Sequence, residues 1–474
     1  MKSLHPIGEW AASRAIPNLA VDTAPSATRI AHTKRNSIDQ ASTMKAASNS
    51  RTHRANPGPS PAPSAADPRA WRVLGSSTFA FTICFAIWMM FAILGIPLKT
   101  QLGLSDTEFG LIAATPVLSG SLARVPLGIY TDRYGGRIVF LLTMLVTVIP
   151  LWALAYATAF WQFIALGLLI GLAGASFSVG TPYVARWFPP SRQGFAMGIF
   201  GAGNSGAALT KFVAPVLIVT AGTWTIVPKV YAIAMLVTAI IFWMTSATNP
   251  AHRVANAPSS ASQSSVIKDP RAWRYSQYYS VVFGGYVGLA LWLPHYYVNQ
   301  YGFRIEQAAL LAACFSLPGG VLRAVGGWLS DKFGAQKTTW TVMWTVLACF
   351  FFLSYPDTDL VVQSSHGPQS FHIALSPVVF TVLMFTVGIA MAIGKASVFK
   401  FVADEFPGNI GAVSGVVGLA GGLAGFALPI LFGVLADLTG VSSTCFMLLF
   451  GATAVSLVWM HFSFRPLRAP ASPA

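Results

Sequence analysis

Long apolar stretches recur along this chain from Ser77 to Phe464. Each is close to the roughly 20 residues that a helix needs to cross the hydrocarbon core of a bilayer. Inside a bilayer every backbone amide must be paired within the protein, and a helix satisfies this by itself. The pattern therefore predicts an all-α membrane protein with twelve transmembrane helices, at 77–97, 109–131, 138–157, 160–187, 194–220, 229–247, 275–297, 308–330, 338–355, 376–403, 410–435 and 441–464.

Polar segments divide these helices into two sets. Residues 1–72 are rich in Ala, Ser, Pro and Arg and lack the apolar region of a signal peptide, so they are expected to form a disordered cytoplasmic tail. A Ser-rich segment, 251–274, is predicted to be a cytoplasmic linker. The expected domains are thus a six-helix half at 73–250, a second half at 275–465 and a short cytoplasmic tail at 466–474.

The distribution of charge predicts the orientation. The chain is 54% hydrophobic and 9% charged, with a net charge of +15, whereas a soluble domain is about 25% charged. With the N-terminus inside, the cytoplasmic loops hold Arg133, Arg137, Arg186, Arg192, Arg253, Lys268, Arg271, Arg274, Lys332 and Lys337, and the outer loops hold Lys99, Lys229 and Arg304. This bias predicts that both termini are cytoplasmic, and it explains the basic charge by membrane topology rather than by binding of nucleic acid.

The two halves share sequence motifs. Arg124 and Asp132 close the second predicted helix with the spacing at which Arg323 and Asp331 close the eighth. A second pair of motifs begins at Phe188-Pro189 and at Phe406-Pro407, and each is followed by three regularly spaced glycines. Such a duplication predicts two pseudo-symmetric halves in parallel orientation, which is the organisation of the major facilitator superfamily.

Arg124 and Arg323 are the residues that most need an explanation. Each lies eight residues, or about 12 Å, from the cytoplasmic end of its helix, where burying a guanidinium costs a few kcal/mol. All fifteen acidic residues lie in the tail, in loops or at helix ends. Since neither arginine has a fixed counter-ion, a mobile anion is the expected partner, and their planar forks match a planar oxyanion.

Other polar or small residues inside the helices leave more than one interpretation open. Gly201–Gly206 matches a dinucleotide-binding pattern, but it lies within an apolar helix with no preceding strand, which excludes that site. The glycines either allow close helix packing or let the backbone and Asn204 reach a small substrate. Lys395 is a candidate for proton coupling, because a desolvated lysine can lose its proton, or else it only packs at a helix boundary. The cysteines show no metal-ligand spacing, and no metal, cofactor or catalytic residue is predicted.

Several of these motifs resemble signatures of the nitrate/nitrite porter family within the major facilitator superfamily. The resemblance covers roughly residues 75–465 and is carried by Arg124–Gly128, Thr131–Arg137, Gly171–Phe177, Gly201–Gly206, Gly394–Lys400 and Gly418–Gly425. It implies that Arg124 and Arg323 bind the anion from the two halves. It also implies that Phe177 and Phe283 sandwich the plane of the anion, that Tyr279 donates a hydrogen bond and that Asn204 shapes the site.

The resemblance extends to two further groups of residues. It implies roles in gating or helix packing for Gly174, Gly201, Gly203, Gly206, Gly418, Gly421, Gly422 and Gly425. It also implies a cytoplasmic loop signature made of Asp132, Arg133, Gly135, Arg137, Asp331 and Lys332. In some members an Asn lies one turn before the second arginine, where this chain has Gly319.

The expected function is transport of nitrate and nitrite across the inner membrane by alternating access, with protons as co-substrate, in a monomer within the lipid bilayer. Residues 394–396 resemble the members that import nitrate with protons. Nitrate/nitrite exchange, or transport of another small anion such as a carboxylate, is the alternative. A channel or anion-sensing receptor fits the repeat less well, and an enzyme fits least because the helices show no catalytic arrangement.

Overall fold

The computed structural model describes residues 68–248, 268–365, 367–406 and 410–463. Most of the predicted N-terminal tail, most of the linker and the C-terminal tail lie outside these residues. The described residues are almost entirely helical, and the helices form one bundle of membrane-spanning length.

Six membrane passes form the first half. The first pass consists of α1 (Pro68–Trp88) followed by α2 (Phe91–Leu102). The second is α3 (Asp106–Tyr134), and the third is α4 (Gly136–Leu154). The fourth joins α5 (Phe160–Ile170) to α6 (Ser176–Ala185) through a 3₁₀ turn at Gly171–Ala175. The fifth joins α7 (Pro190–Gly201) to α8 (Gly206–Ala221) through a 3₁₀ turn at Ala202–Ser205, and the sixth is α9 (Ile226–Thr245).

The second half repeats this arrangement with different interruptions. Its first pass joins α10 (Pro270–Tyr279) to α11 (Gly285–Tyr301) through a π turn at Ser280–Gly284, and its second consists of α12 (Ile305–Val321) and α13 (Arg323–Phe333). The remaining passes are α14 (Ala335–Leu353), α15 (Pro377–Glu405), α16 (Ile410–Thr439) and α17 (Thr444–Ser463). A hairpin of β1 (Thr358–Ser364) and β2 (Gly367–Ile373), which was not predicted, lies between α14 and α15.

Each of the twelve predicted helices has a counterpart, which confirms the predicted fold class. Ten continuous stretches are long and apolar enough to cross a membrane, and the α12–α13 pair, bent by 48°, forms an eleventh. The twelfth, α14, is 19 residues long. Its first turns contain Gln336, Lys337 and several threonines, which lower its hydropathy.

Two helices begin a few residues before the predicted domain boundaries. Helix α1 begins at Pro68, inside the predicted tail, and α10 begins at Pro270, inside the predicted linker. Proline is well suited to the first position of a helix, and the Asp269 carboxylate caps α10 by accepting a bond from the Arg271 amide. Both starts belong to one hexapeptide, Asp-Pro-Arg-Ala-Trp-Arg, that occurs identically at 67–72 and 269–274.

The internal symmetry is visible in backbone geometry. Gly135 and Gly334 follow the second pass of their halves with φ of 89° and 88° and ψ of 140° and 141°, a conformation open to glycine but costly for other residues. Just before each glycine an aspartate pairs with a base on the fourth pass of its half. These ion pairs are Asp132–Arg186 and Asp331–Lys400.

The two halves meet closely at the end of the bundle that the charge bias predicts to be outer. Asp437 of α16 caps the start of α3 by accepting bonds from the amides of Asp106 (3.1 Å) and Thr107 (2.8 Å). The Asp106 carboxylate also bonds Lys99 and His295, each at 2.5 Å, and His295 belongs to the other half. These contacts close this end of the interface between the halves.

Candidate functional site

Irregular backbone surrounds the middle of the interface between the halves. Both 3₁₀ turns of the first half, the π turn of α10–α11 and the break at Leu322 before α13 occur at this depth. Departures from regular α-helix of this kind often mark functional sites. Here they place Gly174, Asn204, Phe283 and Arg323 on the wall of one cavity.

This cavity brings together all six residues predicted to bind substrate. Its lining consists of Phe81, Phe85, Arg124, Gly174, Phe177, Asn204, Tyr279, Phe283 and Arg323. The free volume is about 10 Å³, which is about the space that one water molecule requires. The cavity therefore leaves room only for a very small ligand.

Arg124 extends from the first half toward the second. Its Nη1 donates a 3.2 Å bond to the carbonyl of Gly418 in α16. Its guanidinium carbon lies 5.1 Å from the ring centre of Phe283, also in the second half, and 5.8 Å from that of Trp88. Its Nε is buried and has no hydrogen-bond partner among the described residues.

Arg323 makes the reciprocal contact. Its guanidinium carbon lies 5.2 Å from the ring centre of Phe177 in the first half and 5.7 Å from that of Phe399 in its own half. A Cβ atom at Gly201 would approach Arg323 Cδ to 3.3 Å, so the absence of a side chain there makes room for the arginine. Each guanidinium thus faces an aromatic ring of the opposite half.

The electrostatics of the cavity favour an anion. Among the described residues no ion pair includes Arg124 or Arg323. The two guanidinium groups repel each other, and both interact with Tyr279. The side-chain nitrogen of Asn204 is also buried without a hydrogen-bond partner in the described part of the chain. Unpaired buried donors are costly, and an oxyanion between the arginines would satisfy them.

The buried lysine Lys395 makes its contacts within the second half. Lys395 is fully buried; its Nζ donates a 2.6 Å bond to the Gly319 carbonyl and lies 3.4 Å from the ring centre of Tyr286, all within the second half. A Cβ atom at Gly319 would collide with the Tyr286 ring, which accounts for glycine at this position.

Lys211, in contrast, joins the two halves. Its Nζ donates to Ser316 Oγ at 2.7 Å, and Ser316 lies two turns before Arg323 in the sequence of the second half. A second bond of 3.2 Å runs to the Ala207 carbonyl in α8. The sequence located this lysine within the membrane but did not indicate its contact with the other half.

The predicted packing glycines lie at close contacts, with one exception. A Cβ atom would meet a neighbouring side chain or backbone within 3.3 Å at Gly174, Gly201, Gly203, Gly206, Gly421, Gly422 and Gly425. Gly418 is the exception, because no described atom lies within 4 Å of its Cβ position; a role in gating stays a prediction there. What α16 contributes at Gly418 is the carbonyl bound by Arg124.

The loop signature lies away from the cavity, at the end predicted to be cytoplasmic. Besides the two aspartate ion pairs and the Gly135 turn, Arg137 Nη2 donates a 2.6 Å bond to the Trp243 carbonyl. Arg133 and Lys332 lie over Tyr134 (5.4 Å) and Trp328 (5.1 Å). These contacts fix the turns between helices within each half.

Some of the residues around the site were not predicted. Phe81, Phe85 and Trp88 lie on one face of α1, and their spacing of four and three residues in an apolar helix is the signal that indicates a shared face. Phe399 follows Lys395 by one turn and contacts both Arg323 and Tyr279. In the sequence, an aromatic residue within an apolar helix looks the same whether it lines a binding site or packs in the core.

Comparison with known proteins agrees with this architecture. Residues 77–429 match the model of the Major Facilitator Superfamily. Two solved structures share the fold. One is the nucleoside transporter NupG, with a TM-score of 0.65, 14% identity and coverage of 83% of this chain and 100% of that one. The other is an inward-facing, occupied bacterial homologue of the human lysosomal transporter Spinster, with a TM-score of 0.60, 16% identity and coverage of 84% and 94%.

Curated relatives are more similar in sequence. The probable nitrate/nitrite antiporter NarK1 of Thermus thermophilus is 40% identical over 412 residues, which cover 84% of this chain and 93% of the relative. The probable nitrate/nitrite transporter NarK2 of Mycobacterium tuberculosis is 32% identical, with coverage of 84% and 96%, and the nitrite extrusion protein of Bacillus subtilis is 29% identical, with coverage of 80% and 92%. The chain therefore belongs to the Major Facilitator Superfamily and, within it, to the family of these nitrate/nitrite transporters.

Proposed function

We propose that this protein carries nitrate and nitrite across the inner membrane by alternating access, with Arg124, Arg323, Phe177, Phe283, Tyr279 and Asn204 binding the anion. The observation that carries the proposal is the pair of arginines, one from each half, in a single cavity without a carboxylate among its lining residues. The unpaired Arg124 Nε and Asn204 nitrogen support it. The relatives named for nitrate and nitrite supply the identity of the anion.

The shape of the cavity favours a small planar anion over a larger one. The guanidinium groups face Phe283 and Phe177, and Tyr279 stacks on Phe283 with an interplanar angle of 8°. Flat rings suit a flat ligand, and the small free volume leaves little room for a carboxylate with a longer carbon skeleton. Nitrate and nitrite are small and flat, but formate shares both properties, so the relatives named for nitrate and nitrite carry the choice among these three anions.

The contacts between the halves support alternating access. The cluster of Lys99, Asp106 and His295 closes the outer end, and Lys211 with Ser316 joins the halves between that cluster and the arginines. Rocking of the halves would break these contacts and open the cavity outward. The structure then corresponds to the state that is closed on the outside.

Charge balance limits the modes of transport to two candidates. Two permanent positive charges repel each other in an empty closed cavity, so an anion bound between them eases the return step and favours exchange. Net import against an inside-negative potential costs about 2.3 kcal/mol per charge per 100 mV, and at least one accompanying proton must cancel it. We propose nitrate/proton symport with Lys395 as the coupling group, and nitrate/nitrite exchange as the second candidate because the Thermus relative is named an antiporter.

Counterflow in proteoliposomes tests the substrate. Vesicles preloaded with unlabelled nitrate or nitrite should transiently accumulate labelled external nitrate well above the equilibrium level. Vesicles preloaded with formate or chloride should show little accumulation, because the relatives are named for nitrate and nitrite. Equal counterflow against formate would contradict the assignment to nitrate and favour a general carrier of small anions.

Replacement of Lys395 by Gln should abolish nitrate accumulation driven by a pH gradient but retain nitrate/nitrite exchange within about threefold. Lys395 is not among the residues that line the anion cavity, whereas proton binding needs the amine. Lys211→Gln is the matched control, a second buried lysine whose loss should change the rates of both modes together. Unchanged proton-driven uptake in Lys395→Gln, or loss of it only in Lys211→Gln, would contradict the role of Lys395.

The remaining features follow from the family and the charge bias. We infer that both termini face the cytoplasm, that the protein works as a monomer in the bilayer without a cofactor, and that it is a carrier rather than an enzyme. Reporter fusions at each terminus test the orientation: both should be active only when the reporter is one that functions in the cytoplasm. Activity of a periplasmic reporter at either end would contradict the topology.

A further inference from the structure

We propose that the hairpin β1–β2 is a membrane anchor, with one face inserted into the lipid interface at the outer surface of the second half. The strands pair antiparallel in a register that joins Leu360 to Phe371 and Thr358 to Ile373. Paired residues project to the same side of a two-stranded sheet, and alternate residues share a face. Leu360, Val362, Phe371 and Ile373 therefore lie on one face, whose other side chains, Thr358, Ser364 and Gln369, are uncharged.

The opposite face is polar apart from Val361 and Pro368. Asp359 and His372 pair across the strands at 2.8 Å, and their neighbours on the same side are Val361 with Ser370 and Gln363 with Pro368. The charged residues of the two strands thus all lie on the face away from Leu360 and Phe371. This segregation is the pattern of an element that lies between an apolar and an aqueous phase.

The apolar face is not covered by any part of the chain that the structure describes. Leu360 is 48% exposed and Phe371 is 50% exposed, and Val362 and Ile373 are exposed as well. An isolated two-stranded hairpin is at best marginally stable in water. A partner that buries this face would supply the missing stabilisation.

The position of the hairpin indicates lipid as that partner. It connects the ends of α14 and α15, where Phe351, Phe352, Val378 and Val379 are exposed on the membrane-facing surface of the bundle. Its base is fixed to α11 by a 2.7 Å bond from Gln300 to Asp357. The hairpin thus joins two helix ends that carry exposed apolar side chains, and aromatic side chains such as Phe371 are suited to the membrane boundary.

Spin labelling of the full chain in nanodiscs of phosphatidylethanolamine and phosphatidylglycerol tests the proposal. Cys314 is replaced by Ser, since the other three cysteines are buried, and a label is attached to Leu360→Cys, Phe371→Cys or Ser370→Cys. Collision rates with oxygen, which concentrates in lipid, are compared with those of the water-soluble complex NiEDDA. Phe352→Cys provides the lipid-exposed reference.

At positions 360 and 371 oxygen collisions should exceed NiEDDA collisions several-fold, as at 352, while position 370 should show the reverse order. NiEDDA dominance at 360 and 371 would overturn the proposal. Low collision rates with both reagents, accompanied by spin–spin broadening between copies, would also overturn it and identify a second copy of the chain as the partner. None of these outcomes depends on which anion the protein transports.

Discussion

Replacing Arg124 or Arg323 by lysine is expected to reduce nitrate transport at saturating pH gradient by about 10- to 100-fold, even though the charge is kept. A hydrogen bond to a charged group contributes about 1.5–3 kcal/mol, and lysine cannot form the second, parallel bond of the guanidinium fork. Lysine would also lose the Arg124 bond to the Gly418 carbonyl or the contact of Arg323 with the Phe177 ring. Initial rates and half-saturating nitrate concentrations in proteoliposomes measure the effect.

Arg304→Lys is the matched control, because Arg304 is an exposed arginine paired with Glu306 outside the cavity. It should transport nitrate at the wild-type rate. If Arg124→Lys and Arg323→Lys both retain near-normal affinity while Arg304→Lys does as well, capture by paired guanidinium forks is contradicted.

Replacing Gly110 by Val is expected to reduce transport at least tenfold by preventing closure of the outer end. Gly110 of α3 packs directly against the backbone of Pro429 in α16, and a Cβ atom there would lie 2.8 Å from the Pro429 carbonyl carbon. Because the obstacle is backbone rather than a flexible side chain, the halves must separate, and the arginine site would remain open to the outside. Counterflow of labelled nitrate measures the loss of transport.

A control in the same helix separates this effect from general damage to α3. Gly128 has no atom within 4 Å of its Cβ position among the described residues, so Gly128→Val should leave transport unchanged within about twofold. The position of the halves is measured with Val117→Cys in the Cys314→Ser background, because Val117 is fully buried beside Gly425 of the other half, using a membrane-impermeant thiol reagent from outside. Gly110→Val should accelerate this labelling several-fold, and unchanged labelling would show that the outer end closes despite the added side chain.

Much of the fold follows from the sequence because the bilayer restricts the possible structures. The apolar stretches locate all twelve helices, and the paired motifs at Arg124 and Arg323 establish the two halves. One repeat in the sequence was nevertheless missed: the hexapeptide that begins at Asp67 and at Asp269. Trp71 packs on Phe188 in the first half, and Arg271 lies over Phe406 in the second, so this repeat contacts the Phe-Pro motif of each half.

The site was only partly predictable. Counting carboxylates indicated two arginines without counter-ions, and the resemblance to a family supplied the aromatic residues and Asn204. Neither could show that each guanidinium faces a ring of the other half, because that contact depends on where α3 and α13 lie in the interface. The turns at Ala202–Ser205 and Ser280–Gly284 were also not predicted, since 3₁₀ and π geometry depends on tertiary packing more than on local composition.

Structure determination with nitrate bound would show directly whether the two arginines hold the anion. We expect planar density between Arg124 and Arg323, within hydrogen-bonding distance of both guanidinium groups and between the rings of Phe177 and Phe283. Nitrate bound elsewhere, or either arginine paired with a protein carboxylate in the loaded state, would contradict anion binding by the arginine pair.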